Sequence, residues 1–532
     1  MATLQFKGKS AVWNHHLAVP YHTLDKDKEK SRKGDDASEN LIIEGDNLLA
    51  LKSLLPKYQG RVNCIYIDPP YNTGKENWVY NDKVNNPIIK DWLGSVVAKD
   101  DLTKHDKWLC MMTPRLKLLR ELLSDEGVIF ISIDDNELHN LKALIEEIFG
   151  QNRFLGMITW INRTKPKNMG KAKYALQQNT EYILCYSRCH KDNFNGFILP
   201  ETYKKRYPYK KDGNEYRLEE IQQRKNLGSM RRNSMVYELL GITPKEDYRW
   251  QLSPESRDKL IEQNKLIKER TKIYEIIFKK DEEDSAFEPF WSHREDAGTA
   301  ESAKESLEQL LECDEVFDNV KPVELLKQLF TFLPEDALFL DSFAGSGTTA
   351  QAILELNKES GKRKFILVQI PEKIDKDAPA YKAGFKWVHE ITRERVSKVI
   401  KNYKIESGFT YYTLGPSIDE VSILAGILPK YNDFAKYVFY LATGKNHPDD
   451  KKIIEKYFFV GKTSNESIYL LYDQDLDSLK KLSITLDWAE KIQKKDPGKK
   501  IIYAPACFLD EEYLDKFNIK FVSIPYNLFE KK

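Results

Sequence analysis

The apolar run Cys64-Ile65-Tyr66-Ile67 ends abruptly at Asp68-Pro69-Pro70-Tyr71. Proline cannot continue a central ladder, so the run reads as a buried strand emptying into a stiff loop. That loop offers a carboxylate, carbonyls held in fixed directions by two pyrrolidine rings, and a flat aromatic face. These are the parts needed to grip a planar ring carrying an exocyclic amine. Far downstream lies a second loop, Asp341-Ser342-Phe343-Ala344-Gly345-Ser346-Gly347-Thr348-Thr349. Strand, Gly-x-Gly, helix is where backbone passes close to a ligand and presents N–H groups at a helix start. A phosphate-binding loop would need a lysine after Gly347, and the GxGxxG spacing of a dinucleotide site is absent. Cys185 and Cys189-His190 have no second pair nearby, so they read as strand residues and no metal site is expected.

Both loops need a sheet to hold them. The strand Leu41-Ile42-Ile43 stops at Gly45-Asp46, a helix carrying Leu48, Leu51 and Leu55 follows, and then comes Cys64–Ile67. Strand, helix, strand over this length is the signature of a parallel sheet. Leu109, Met112, Leu116, Leu119 and Leu123 share one face of a helix expected from about Asp106 to Leu123. A strand at Gly127–Ile133 precedes a helix over Glu137–Phe149 that Asp135 is placed to cap. Met157–Trp160 and Tyr182–Tyr186 read as further strands. Residues 190–300 are polar, aromatic and irregular, closing in the charge-rich Lys279–Ser285. The α/β pattern resumes near Phe317, with a strand at Ala337–Leu340, the Gly-rich loop, a helix to about Asn357 and a strand at Lys364–Val368. Beyond 405, strands at Ile468–Tyr472, Lys500–Tyr503 and Ile519–Ile524 alternate with helices and carry no evident chemistry.

At 532 residues the chain is long enough for two or three domains, and 41% hydrophobic residues allow real cores. Met1–Ser10 has no apolar leader and no run of about 18 apolar residues occurs, so a cytoplasmic protein is expected. Six scattered cysteines make no disulfide framework. The net charge of +1 argues neither for nor against nucleic acid, because binding depends on where charge lies. Locally the charge is uneven. One basic stretch carries Arg163, Lys165 and Lys167. A second carries Lys204, Lys205, Arg206, Arg231 and Arg232, interleaved with Tyr203, Tyr207, Tyr209 and Tyr216. Basic runs are usually solvated loop faces, but aromatic interleaving favours a nucleic-acid interface.

Taken together, Phe343–Thr348 and Asp68–Tyr71 resemble the amino-methyltransferases of DNA. Their order, Asp-Pro-Pro-Tyr first and the Gly-rich loop later, resembles the permuted β group. Gly45–Leu48, Trp78–Asp82, Ser132–Glu137, Lys321–Leu326 and Arg363–Glu372 extend the likeness to the modification (Mod) subunit of type III restriction–modification systems. The resemblance implies an α/β fold: a Rossmann-like, S-adenosylmethionine-dependent methyltransferase with a mostly parallel twisted sheet. The polar, charge-dense Asp25–Asn40 reads as an arm or linker, so 1–40 is expected to be an N-terminal arm; the resemblance implies a first catalytic half over 41–165 and a target-recognition insert over 166–310, with some return to the sheet near 180–188. A second catalytic half covers 311–404, and a small C-terminal α/β domain 405–532.

By the same resemblance, the activity is transfer of a methyl group to adenine N6 in double-stranded DNA. Asp68 and the Pro69 carbonyl accept the amine's hydrogens, Pro70 stiffens the turn, and Tyr71 stacks on a base rotated out of the duplex. S-adenosylmethionine lies against Phe343, Ala344, Gly345, Ser346, Gly347 and Thr348, with Asp68, Lys321 and Asp341 nearby. Asp46 matches the contact to the cofactor's adenine, and Gln369 or Glu372 the contact to its ribose. Asp-Pro-Pro-Tyr favours adenine N6 over cytosine N4. Cytosine-N4 transfer and a non-catalytic DNA-recognition scaffold are the alternatives. The family implies a homodimer and a restriction (Res) subunit as partners.

Overall fold

Apolar runs flanked by helices build one large sheet. The computed structural model describes residues 3–37, 39–73, 103–163, 176–191, 207–211, 213–224, 235–246, 248–278, 292–294 and 296–524. The first strands are β1 (Tyr21–Arg32), β2 (Leu41–Glu44), β3 (Val62–Ile67), β4 (Leu123–Ile133), β5 (Phe154–Ile161) and β6 (Thr180–Ser187). Six more follow: β7 (Tyr209–Lys211), β8 (Asn214–Glu220), β9 (Gln222–Arg224), β10 (Tyr248–Trp250), β11 (Leu266–Glu269) and β12 (Lys272–Phe278). The chain then returns through β13 (His293–Arg294), β14 (Leu338–Asp341), β15 (Lys364–Gln369) and β16 (Phe409–Ile418). It ends in β17 (Phe459–Lys462), β18 (Glu466–Leu470), β19 (Lys499–Ala504) and β20 (Ile519–Ser523).

The main sheet has the order β1-β16-β2-β15-β14-β3-β4-β6-β5-β13. From β16 to β4 every pairing is parallel, while β1 and β6 run against their neighbours. The central strands are apolar on both faces, as a sheet covered on both sides requires. On one face the helix Lys104–Leu122 buries Leu109, Met112, Leu116 and Leu119 beside Leu51 and Leu55 of the helix Asn47–Tyr58. From β14 the chain winds outward through β15 to β16. From β3 it winds the other way through β4. The topological switch therefore falls between β14 and β3, the position where open α/β sheets hold ligands.

Several boundaries differ from those read in the sequence. The segment taken as an arm contains β1, a twelve-residue edge strand paired with β16. Its lysines made it resemble a linker, yet charge is what protects an exposed sheet edge from further pairing. The strand β16, assigned by sequence to the C-terminal domain, belongs to the main sheet, and the helix Ala300–Leu311 packs on the helix Val388–Asn402 outside the insert. Asp135 does not cap the following helix, which starts at Leu138 after Glu137 without a side-chain cap. The C-terminal sheet, β17-β18-β19-β20, is anchored nearby. Tyr437 stacks on Tyr21 at 4.5 Å, and Asn446 donates to the Gln59 carbonyl at 2.8 Å.

Residues Asn195–Phe290 form a separate compact unit. It is not irregular, as its polar composition suggested, but a four-stranded antiparallel sheet, β11-β12-β8-β7, with the pair β10-β9. Its small core comprises Ile221, Leu239, Trp250 and Ile273. Lys279–Ser285 and Trp78–Asp82 lie outside the described residues. Among the described residues no helix is long and apolar enough to cross a membrane.

Candidate active site

Parallel pairing of Cys64 with Phe339 and of Ile65 with Leu340 sends the two motif loops out of the same sheet edge. The first loop is held tightly. Trp108 Nε1, from the helix packed beneath, donates to the Pro70 carbonyl at 2.6 Å. Among the described residues, that leaves the Pro69 carbonyl as the member of the pair without a donor. Asn72, at φ 59°, closes the turn by donating to the Lys104 carbonyl (3.1 Å) and to the buried carboxylate of Glu137.

Four side chains converge where the loop begins. Lys321 Nζ lies 2.6 Å from Asp68 Oδ2 and 3.4 Å from Glu181 Oε2. The Tyr71 hydroxyl donates to Asp68 Oδ1 at 2.7 Å and stands 3.1 Å from Glu181 Oε2. Asn162 Nδ2 holds the other oxygen, Glu181 Oε1, at 2.7 Å. Burial alone lowers the Lys321 ammonium, but the charges of Asp68 and Glu181 outweigh it and hold the group above its ordinary value. Burial, and then the same two carboxylates, push the Tyr71 phenol well up, so it stays a neutral donor. Glu181 and Asn162 escaped sequence reasoning. Their signal was faint: an acid directly before the apolar run Tyr182–Tyr186 and an amide directly after a strand.

The second loop is built largely from its own hydrogen bonds. Asp341 is buried and accepts from the Phe343 N–H (3.0 Å) and the Thr349 hydroxyl (2.5 Å); burial pushes its carboxyl up to about 7. Gly345 and Gly347 sit at φ 52° and 87°, and a Cβ on Gly347 would stand 3.3 Å from Thr392 Cγ2. Arg395, itself buried, donates to both the Ser346 and Thr348 hydroxyls at 2.8 Å. Of the residues read as cofactor contacts, Asp341, Ser346 and Thr348 therefore have side chains engaged in shaping the loop. Gln369 is engaged in the same way. Its Oε1 accepts from the Gly345 N–H at 2.7 Å and its Nε2 donates to the Ile370 carbonyl, so its buried amide braces the loop.

Glu372 is left as an acid of a different kind. It makes no side-chain hydrogen bond or ion pair among the described residues, and partial burial raises its carboxyl above the usual range. On the opposite flank, Asp46 caps the helix Asn47–Tyr58 through the Leu48 N–H and keeps its carboxylate partly exposed. The adjoining Asn47 joins the two halves. It accepts from buried Arg115 at 2.6 Å and donates to the Ser342 carbonyl at 2.9 Å. The Ser342 hydroxyl is buried without a partner. A glycine turn, two available carboxylates and an orphaned hydroxyl suit a ligand with a ribose diol and a cationic amino-acid tail.

Of the proposed DNA contacts, Arg163 is exposed directly after Asn162. Lys165, Lys167, Lys204, Lys205, Arg206, Arg231 and Arg232 lie outside the described residues. Within the separate unit, exposed Tyr209 stacks on Tyr216 with ring centroids 5.4 Å apart, and Tyr216 meets the edge of Phe278. Cys185 is buried in β6, and no cluster of three or more metal-ligating acids, histidines or cysteines occurs among the described residues.

A mostly parallel sheet with a Gly-rich loop and an Asp-Pro-Pro-Tyr loop flanking its switch point defines a Rossmann-like methyltransferase fold. Residues 62–378 match the family model described as DNA methylase, and the chain belongs to that family. It is 33% identical to the StyLTI Mod subunit, a type III restriction–modification enzyme of Salmonella typhimurium, over 75% of this chain and 61% of that protein. With the EcoPI Mod subunit of Escherichia phage P1 it shares 31% identity over 75% of this chain and 68% of that one. The type II methyltransferase M.KpnI of Klebsiella pneumoniae is 29% identical over 72% of this chain and 93% of its own length. The chain thus spans less than two thirds of the Salmonella relative. S-adenosylmethionine is the cofactor of such methyltransferases, and the residues around the Gly-rich loop fit it.

Proposed function

We propose that the chain transfers a methyl group from S-adenosylmethionine to the N6 amine of an adenine rotated out of duplex DNA, as the modification subunit of a type III restriction–modification system. The observation that carries this reading is the placement of Asp68 and the Gly-rich loop at the ends of neighbouring parallel strands, with Lys321 from the second half bonded to Asp68 from the first.

An adenine amine is a poor nucleophile because its lone pair is delocalised into the ring. Asp68 accepts one amine hydrogen and the Pro69 carbonyl the other, which favours a tetrahedral nitrogen with its lone pair directed outward. S-adenosylmethionine, when bound, would supply a methyl group activated by its sulfonium. Asp68 receives the proton the amine gives up. The Tyr71 ring stacks on the base. Phe343, Ala344, Gly345 and Gly347 would line the cofactor's amino-acid end, Glu372 would take the ribose hydroxyls and Asp46 the adenine. No covalent link to the protein is needed, because binding alone brings donor and acceptor together. The relatives support duplex DNA as substrate and a Res subunit as partner, and Arg163 and the Tyr209–Tyr216 stack are surfaces suited to DNA. A cytoplasmic protein acting as a homodimer agrees with this role.

The full chain should label duplex DNA from radiolabelled S-adenosylmethionine, and Asp68→Ala should abolish labelling while DNA binding stays measurable. Equal labelling by Asp68→Ala overturns the reading. Mass spectrometry of the digested product distinguishes N6-methyladenine from N4-methylcytosine.

A further inference from the structure

Both oxygens of Asp68 are already occupied. The Tyr71 hydroxyl holds Oδ1 at 2.7 Å and Lys321 Nζ holds Oδ2 at 2.6 Å. A base amine that bonds to this carboxylate competes with both donors for its charge and loosens their hold on it. An ammonium or phenol released into a largely buried site without a new acceptor would carry its whole desolvation penalty. The structure supplies that acceptor. Glu181 Oε2 is 3.1 Å from the Tyr71 hydroxyl and 3.4 Å from Lys321 Nζ, within a small shift of both. The other oxygen is clamped by Asn162, so Glu181 cannot rotate away, and Oε2 stays directed at the two donors. The Lys321 and Glu181 side chains are only 9% and 16% exposed, which keeps water from substituting for either.

We infer that Glu181 is a positioning residue for methyl transfer: it takes over the Tyr71 hydroxyl and the Lys321 ammonium when Asp68 turns to the amine of the target base. This inference rests on the methyltransferase reading above. Charge follows the same exchange. With Asp68 committed to the amine, Glu181 alone balances Lys321 inside the protein. The acid at the start of β6 thus acts as a second acceptor shared by two donors.

Glu181→Gln in the full chain tests the exchange. Whichever way the amide settles against Asn162, whose Oδ1 is buried without a partner, it no longer offers a charged acceptor to Tyr71 and Lys321. Lys321 retains Asp68, so the fold stands, and thermal unfolding verifies it. The single-turnover rate of DNA methylation should fall roughly 10- to 100-fold, the loss expected for a charge-assisted hydrogen bond. Dissociation constants for S-adenosylmethionine and for duplex DNA should change less than about twofold. In a Tyr71→Phe background one donor is gone, so the further loss from Glu181→Gln should be smaller than in the wild type. A wild-type single-turnover rate in Glu181→Gln, or strictly additive losses in the double variant, overturns the inference alone. A wild-type chain that labels no DNA overturns the function reading, and the inference falls with it.

Discussion

Lys321 and Asp68, separated by most of the catalytic region in sequence, form an ion pair 2.6 Å long that ties the second half of the sheet to the first. The pair sits beside the switch point between β14 and β3. Its consequences, and those of the two loops it joins, can be measured.

Lys321→Met leaves Asp68 and Glu181 as neighbouring carboxylates without their cation. Removing one partner of such a buried pair costs about 3 kcal/mol, and urea denaturation should register it. The lysine's raised value also fixes a pH window. A group held above its ordinary 10.5 contributes stability that is complete below that pH and lost as pH climbs through the folded value. The stability gap between wild type and Lys321→Met should therefore be flat around neutrality and close in alkali. A gap that stays unchanged as pH rises through the alkaline range would show that Lys321 is not the ion being titrated.

Asp341 shifts stability in the same sense, but in an acidic window. Burial raises its carboxyl from 3.8 to about 7, so the folded chain binds more protons than the unfolded chain between those values. Wild-type stability should fall as pH rises across that interval, by a total on the order of a few kcal/mol. Asp341→Asn has no charge to bury and should gain on the wild type over the same range, then hold a constant difference above it. Denaturation curves at a series of pH values from 4 to 8 (about the span of the shift) measure the difference.

Asn47→Ala cuts the link from Arg115 to the Ser342 carbonyl. Leaving a buried guanidinium without this acceptor should lower stability by about 2 kcal/mol. Because Ser342 opens the Gly-rich loop, affinity for S-adenosylmethionine should fall roughly tenfold, as read by calorimetry. An affinity equal to the wild type would detach this network from the cofactor site.

Glu372 and Gln369, both candidates for the ribose contact, should respond differently to substitution. Glu372→Gln should weaken S-adenosylmethionine binding roughly tenfold with little change in stability, since it loses a charge-assisted acceptor and no internal bond. Gln369→Ala should lower the melting temperature, because the Gly345 N–H loses its partner. Reversed outcomes would return the ribose contact to Gln369.

The two loops were legible in the sequence because their signals are local. Proline ending an apolar run, glycine opening a helix, and apolar spacing with a period of two or 3.6 all depend on near neighbours along the chain. Their order even marked the site as split. What sequence could not decide is which distant side chains meet, because that depends on sheet order and register. Only the pairing of β14 with β3 brings the loops to one edge. Only the placement of β6 beside β4 and β5 brings Glu181 to Lys321 and Tyr71. The lysine-rich β1 read as a linker until its pairing with β16 made it a sheet edge. Asp341 and Gln369 kept their places near the cofactor loop but changed purpose, since burial makes a polar side chain satisfy its hydrogen bonds inside the protein before it can offer them to a ligand.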